Sequence, residues 1–437
     1  MSKVFPSRDR EGAVCIVCIL ICCAAAAQAQ KNYKDAAEYG LFDAAVKDLQ
    51  ANSFDKAIAD LDAWKQKYPD SAFKDDRQVF YALAYAGAKQ PEKALSAVGL
   101  VSNPGSLDAA RQVRLLYTAA VAIQQISNPT PEQLAIGGKA ARELDAFDKI
   151  PEGVSPDAWA STRAQLRTAA RAALLYVALV PGAQALHAND CAAASATFRK
   201  ALQDFPDSAQ AAAYLGEAEA CRSKTAPGLA PVAIYEFARA ASLDPAKGMA
   251  DPKWQQQTVE PALERMYNAY HGADAEGLAQ LKQEAVKSPL PPEGFIIESA
   301  AEIAQRKQAD FETKNPELAL WMRMKAALNM ADGEQYFEQN VKNFAIPQLR
   351  GVLLEAKPAC RPAEVLIGVP LPDAASPLQP EIVLKLAKPL SGKPDLNSEI
   401  RWEGVAATFT KSPFLLTMET DAAQIHGLTM APCPRSK

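Results

Sequence analysis

Between residues 174 and 245 one arrangement of small and large apolar positions is written twice. Ala194, Phe198, Ala201 and Pro206 follow one another at intervals of four, three and five, and Ala233, Phe237, Ala240 and Pro245 repeat those intervals. Steps of four and three keep small, aromatic and small side chains on one stripe of a helix. The proline then stops the helix, because its ring fixes φ and it has no N–H to donate. Gly182 and Gly216 stand in the alanine-rich helices that precede these two, where small residues facing small residues let helices approach closely. The spacing recurs near the N-terminus as Ala57, Leu61, Trp64 and Pro69.

Taken in order, the pattern predicts a succession of helical pairs. Tyr33 to Asp70 makes the first pair, broken at Asn52-Ser53, and a second runs from Asp76 to Val101 with Pro91 opening its second helix. Leu107, Ala110, Val113, Leu116, Ala120 and Ile123 form a stripe at three- and four-residue steps. Helices are predicted next over Glu132–Phe147 and Asp157–Leu179, followed by the two matched copies, the second carrying a loop insertion at 223–231. Trp254–Tyr270 and Glu276–Lys287 read as a last pair. SPLPPEG, residues 288–294, reads as a linker, and Ser299 with Glu302 forms a capping box that opens a further helix, followed by one over Pro316–Asn329 and a short one over Tyr336–Asn343.

The pattern changes near Phe344. Apolar residues now come in short runs at Val352–Leu354, Val365–Ile367, Ile382–Leu386, Ile400–Trp402 and Phe414–Met418, separated by Pro, Gly, Asp and Ser. This predicts a small all-β barrel or sandwich. The expected domains are therefore a leader over 1–29, a helical array over 30–287, a linker with connector helices over 288–343 and a β-domain over 344–437.

The segments SFDKAIADLDAWKQKYPDS, CAAASATFRKALQDFPDS and APVAIYEFARAASLDP resemble the tetratricopeptide repeat, a helix–turn–helix unit of about 34 residues. Leu61 and Trp64 depart from the usual aromatic and small residues, and Ala45 stands where glycine is common. The resemblance implies an α-solenoid in which the first helix of each pair lines a concave groove for a peptide or a partner protein. Mapped residue by residue, the groove positions are Tyr176, Leu179 and Ala183, then Gln210, Ala213 and Glu217. They lack the basic clamp that captures a terminal carboxylate. The β-run more weakly resembles a five-stranded OB-type barrel, with a two-sheet sandwich as the alternative.

Charge and cysteines add a compartment. Lys3, Arg8 and Arg10 precede an apolar run over 13–27 and the small-x-small triplet Ala27-Gln28-Ala29, the pattern of a secretory leader. Lipid attachment at Cys23 fits less well, because Ile21 and Cys22 are not the small residues such sites use. Loss of 1–29 changes the net charge from −4 to −5, and no later segment reads as apolar enough to span a membrane, so a periplasmic or secreted chain with at most peripheral envelope association is expected. An acidic chain without a basic stripe argues against nucleic acid as a partner. Cys191, Cys221, Cys360 and Cys433 remain after the leader. In an antiparallel array Cys191 opens a second helix and Cys221 closes the next first helix, which puts both at one end of adjacent helices; two small buried thiols are the alternative reading. Cys360 and Cys433 would then pair in the β-domain.

No chemistry-bearing motif stands out. His187, His271 and His426 have no second ligand at metal spacing, and no H-E-x-x-H, G-x-S-x-G or phosphate-binding glycine loop occurs. Glu132, Glu143 and Asp145 read as a solvated helix face, and Trp64, Trp159, Trp254, Trp321 and Trp402 as packing residues. The expectation is a non-catalytic interaction scaffold of the cell envelope or exterior, without cofactor or metal. The alternative is a ligand-binding module whose β-domain holds a glycan or peptide.

Overall fold

The computed structural model describes residues 33–246, 248, 250–371 and 377–433. The expected leader and Cys23 lie outside the described residues. The chain divides into two compact units between Ile297 and Glu298. The first consists of tetratricopeptide-like helical pairs and the second of helices with a small β-barrel.

In the first unit the pairs are α1 (Ala36–Gln50) with α2 (Phe54–Lys67), α3 (Lys74–Gly87) with α4 (Pro91–Gly99) and α5 (Ala109–Ile123) with α6 (Pro131–Asp145). Then come α7 (Pro156–His187) with α8 (Cys191–Asp204), α9 (Ala209–Ser223) with α10 (Ala230–Ser242), and α11 (Glu260–Tyr270) with α12 (Ala275–Ala285). A π-type turn over Gln255–Val259 leads into α11. Three of the turns inside pairs use one left-handed residue each, Asn52 (φ 56°), Lys89 (φ 58°) and Asn189 (φ 58°). Asparagine tolerates that region because its short polar side chain bonds locally, so two of the three turns are legible in the sequence.

The repeated stripe is buried as its spacing predicts: Ala194, Phe198, Ala201, Ala233, Phe237 and Ala240 all face the core, as do Ala57, Leu61 and Trp64. The expectation of small residues facing small residues is corrected, because an aromatic ring lies over each glycine. A Cβ on Gly182 would stand 2.6 Å from the Phe198 ring, and one on Gly216 would stand 3.1 Å from Phe237. Phe198 also stacks on Tyr214 of the following pair, ring centroids 5.4 Å apart. One ring therefore closes its own pair and docks the next.

Helix α7 differs from expectation. It runs 32 residues, through Pro181, where the sequence suggested a stop near Leu179. An interior proline costs about 3 kcal/mol, and packing on both halves of the helix offsets that cost. Trp159, Leu166, Ala170, Tyr176 and Val180 belong to the core with α5 and α6, while Leu175 and Leu179 belong to the core with α8 to α12. The helix is also long and apolar enough, by composition, to cross a membrane, which corrects the reading that no later segment is.

In the β-unit, α13 (Ala300–Lys314), α14 (Pro316–Asn329) and α15 (Gly333–Asn340) precede the strands. The capping box of Ser299 and Glu302 forms as expected. Strands β1 (Ala345–Lys357), β2 (Glu364–Gly368), β3 (Ile382–Leu386), β5 (Glu399–Lys411) and β6 (Phe414–Thr420) are hydrogen-bonded in the order β1-β2-β3-β6-β5, and β5 returns to β1. The sheet is thus a closed five-stranded barrel, antiparallel except between β3 and β6. The short β4 (Lys393–Pro394) and β8 (Met430–Ala431) pair beside it, and β7 (Ile425–His426) extends β5.

The connector helices share the barrel's core. Leu318, Trp321, Met324 and Leu328 of α14 pack with Leu349, Ile367, Ile382, Trp402 and Leu416. Trp321 donates to Glu381 at 2.9 Å, and Lys325 pairs with the same carboxylate at 2.5 Å. By contrast SPLPPEG and its neighbours are tied to the helical array, where Leu290, Phe295 and Ile297 pack and Tyr235 donates to the Ser288 carbonyl at 3.0 Å.

Two outcomes follow from this packing. Phe198→Ala is expected to cost about 3–5 kcal/mol of stability, read by denaturant unfolding, and a loss below about 1 kcal/mol would contradict the packing. A fragment starting at Glu298 should show cooperative thermal unfolding by circular dichroism. One starting at Phe344 should not, because it lacks Trp321 and the rest of α14.

Candidate binding surface

Helices α7 and α9 carry the six groove positions, and the structure treats them unequally. Tyr176, Leu179, Ala183 and Ala213 are buried. Tyr176 donates its hydroxyl to the carbonyl of Ile126, which fixes α7 on the preceding pair. Gln210 is half-buried and Glu217 is exposed. Gln210, Tyr214 and Glu217 stand at i, i+4 and i+7, so they share one face of α9. Tyr214 is the member that the repeat mapping missed.

The chemistry of that face is distinctive. Burial raises the Tyr214 phenol, with the Glu217 carboxylate adding to the effect. Glu217 reaches solvent, yet desolvation alone raises its carboxyl above the ordinary glutamate value. It takes part in no described hydrogen bond or ion pair.

Behind this face α9 carries a second carboxylate with the opposite treatment. Glu219 is fully buried and accepts from Ser195 Oγ at 2.7 Å, Arg199 Nη2 at 2.6 Å and Arg222 Nη1 at 2.9 Å. These bonds tie α8 to α9 through a charge that would be costly to bury alone. Glu236 of α10 is equally buried, and neither of its oxygens finds a hydrogen-bond partner. Burial pushes its carboxyl up to about 8; Arg239 and Arg199 oppose the shift and Glu219 adds to it. A carboxyl of that pKa suits acid–base work, but enclosure denies it a substrate, so its role is structural. Arg239 donates to the carbonyls of Ala285 and Ser288 at 2.8 Å each and of Pro206 at 2.5 Å. It ties α10 to the segment beyond α12. None of these charges was singled out in the sequence; the available signal was their position inside apolar stripes.

The remaining chemistry is sparse. His187 is exposed at the end of α7, His271 lies 3.5 Å from Asp274, and His426 is exposed on β7. No group of three or more potential metal ligands occurs among the described residues. A depression of about 100 Å³ lined by Gln112, Leu115, Leu116, Glu143 and Lys149 is smaller than the roughly 300 Å³ at which small-molecule sites begin. Trp64, Trp321 and Trp402 are fully buried, Trp159 is buried and Trp254 half-buried. Trp402 is therefore a packing residue of the barrel core. The structure joins Cys191 to Cys221 and Cys360 to Cys433, with Cα atoms 6.0 and 5.8 Å apart.

No family model matches the chain, and neither does any curated protein. A solved structure similar to it is the complex of the TPR2AB domain of yeast Sti1 with pHSP90. The two are 14% identical, the match covers 57% of this chain and 98% of that one, and the TM-score is 0.22. The helical-pair assignment rests on the repeat spacing and the packing described above.

The raised Glu236 carboxyl gives a pH dependence with a definite sign. The native state holds this proton between the unfolded value of about 4.5 and about 8, whereas the unfolded chain releases it. Stability from this group is thus complete below pH about 4.5 and falls as pH rises to about 8. Glu236→Gln should remove that slope, leaving the variant more stable than the parent at pH 9 by roughly 3–5 kcal/mol at one pKa unit per 1.36 kcal/mol. Parallel urea titrations at pH 5 and 9 check it; an unchanged difference between the two proteins would show that Glu236 is ionised in the fold.

Proposed function

We propose that the chain is a non-catalytic interaction scaffold that receives a peptide or partner protein along the open face of its first helices. The observation that carries this reading is the face of α9 on which Gln210 is half-buried and Glu217 exposed beside the buried Tyr214, with Glu217 in no described hydrogen bond or ion pair. Glu219, two residues on, is by contrast enclosed and bound by Ser195, Arg199 and Arg222. Glu236, whose raised carboxyl would suit acid–base work, is enclosed in the core.

The two disulfides and the leader-like pattern of 1–29 favour an exported chain, periplasmic or secreted. A second reading is favoured by one observation in the β-unit. The closed order β1-β2-β3-β6-β5 with β3 parallel to β6 supports assignment as an OB-type barrel, an architecture whose open strand faces hold extended ligands. On that reading the barrel holds a glycan or peptide.

A photo-crosslinking amino acid at Gln210 tests the scaffold reading in the intact chain. It is expected to give a discrete protein or peptide adduct in an envelope extract, while the same group at Glu132, on the exposed start of α6, gives none. Equal labelling from both positions, or none from Gln210, would remove the scaffold reading.

A further inference from the structure

Three segments of the β-unit meet at one end of the barrel: the β1–β2 turn over 358–363, the segment 387–398 that carries β4, and the chain beyond β7. Backbone bonds join the first two. The Arg361 N–H donates to the Gly392 carbonyl at 2.9 Å, and the Leu390 N–H to the Pro362 carbonyl at 3.0 Å. The third lies over them as a strap. It leaves the barrel at Gly427, where φ is +88° and an added Cβ would stand 2.7 Å from the Glu399 carbonyl oxygen. It then passes Gly392, where an added Cβ would stand 2.6 Å from the Ala431 carbonyl oxygen. At Cys433 the disulfide fastens it to Cys360, 73 residues back in the chain.

Apart from that disulfide, little holds the strap. Strand β8 pairs with β4 over two residues only, Ala431 with Lys393 and Met430 with Pro394, and a proline has no N–H to give to the ladder. One further bond runs from the Asp395 N–H to the Thr429 carbonyl at 3.0 Å. Ile425 is the last buried side chain among the described residues; from His426 onward only Leu428 and Cys433 are even half-buried. A segment with few buried apolar contacts and exposed backbone bonds opens locally at low cost. Beneath it Leu390, Gly392 and Pro394 are buried, and β4 has no other strand partner among the described residues. The ladder β1-β2-β3-β6-β5 closes on itself without the strap. The other disulfide differs, because Cys191 and Cys221 join two helices that the Glu219 bonds and the Phe198–Tyr214 stack also hold.

We propose that the Cys360–Cys433 disulfide is a redox latch: a dithiol reduces it, residues 427–433 swing away about Gly427, and β4 is uncovered while the barrel stays folded. One thiolate of the dithiol attacks a sulfur of the disulfide, and the other sulfur leaves as a thiolate. The second thiol of the dithiol then resolves the mixed disulfide. The chain gains two electrons and two protons as thiols at Cys360 and Cys433, and the dithiol departs as its own disulfide. The exposed Arg361 beside Cys360 favours the thiolate form there. Opening leaves β4 as an unpaired strand edge and bares Leu390 and Pro394, so a covered end of the barrel becomes an apolar, strand-edged surface.

The test uses the full chain. Peptide-resolved hydrogen exchange is read with and without dithiothreitol, and alkylation mass spectrometry assigns the state of each cysteine pair. With Cys360 and Cys433 reduced, exchange in 387–398 and 427–433 is expected to rise about tenfold or more, the Asp395 amide included. Strands β1, β2, β3 and β6 should change less than twofold. Cys433→Ser should reproduce this without reductant, whereas Cys191→Ser combined with Cys221→Ser should leave the strap protected. Reoxidation of the parent should restore protection. Unchanged exchange of the strap in the reduced protein or in Cys433→Ser would overturn the proposal. So would loss of protection across the barrel strands together with the strap, since the disulfide would then hold the whole barrel.

Discussion

The helical array depends on a ring of carbon lying where a methyl group would otherwise be. Phe198 covers Gly182 and Phe237 covers Gly216, at separations that a Cβ could not tolerate without displacing the ring. The same device recurs earlier, where a Cβ on Gly87 would stand 2.3 Å from Phe54. Because interiors are packed to crystal-like density, the glycine fixes where the aromatic goes, and the aromatic fixes how far apart the helices sit. Stacking of Phe198 on Tyr214 then passes that spacing to the next pair. The face that Tyr214 shares with Glu217 is therefore placed by core packing in the pair before it.

Helix α7 gives this chain of contacts its reach. Its length puts one stripe into the core of α5 and α6 and another into the core of α8 to α12. A helix of ordinary length would serve one core only. Here the Tyr176 bond to Ile126 and the Phe198 ring over Gly182 act on opposite sides of a single rigid element. The exposed Pro181 sits between those commitments, in a helix that neither half could abandon without uncovering a core.

What the sequence made legible follows from locality. Apolar residues at four- and three-residue steps on one helix report burial, and all three copies of that spacing are buried in register. Asn52 and Asn189 report their left-handed turns, whereas Lys89 occupies the same conformation without a side-chain signature. The groove positions fared differently because exposure is decided between helices. Leu179 and Ala183 occupy the same repeat positions as Ala213 and Glu217, yet only Glu217 keeps its surface, since the sides of α7 are already covered by two cores. The buried carboxylates were illegible for a related reason. Glu219 and Glu236 look like any glutamate on an amphipathic helix until α8, α9 and α10 are brought together. In the β-unit, strand positions were readable from apolar runs, but Trp321 belongs to the barrel core through a contact with Glu381 sixty residues away.

The two carboxylates on α9 show how the array divides its labour. On the enclosed side Glu219 is bound by a hydroxyl and two guanidinium groups, so the helix is held to α8 by charge-assisted hydrogen bonds as well as by packing. The disulfide between Cys191 and Cys221 closes the same two helices at one end, and its constraint acts on the unfolded chain whatever the pH. On the other side Glu217 is exposed, takes part in no described hydrogen bond or ion pair, and has its carboxyl raised by desolvation. Such a group lowers the stability of the free protein slightly and raises that of any complex that neutralises it. A helix held in this way does not spend binding energy on its own ordering, whatever it meets on its exposed side.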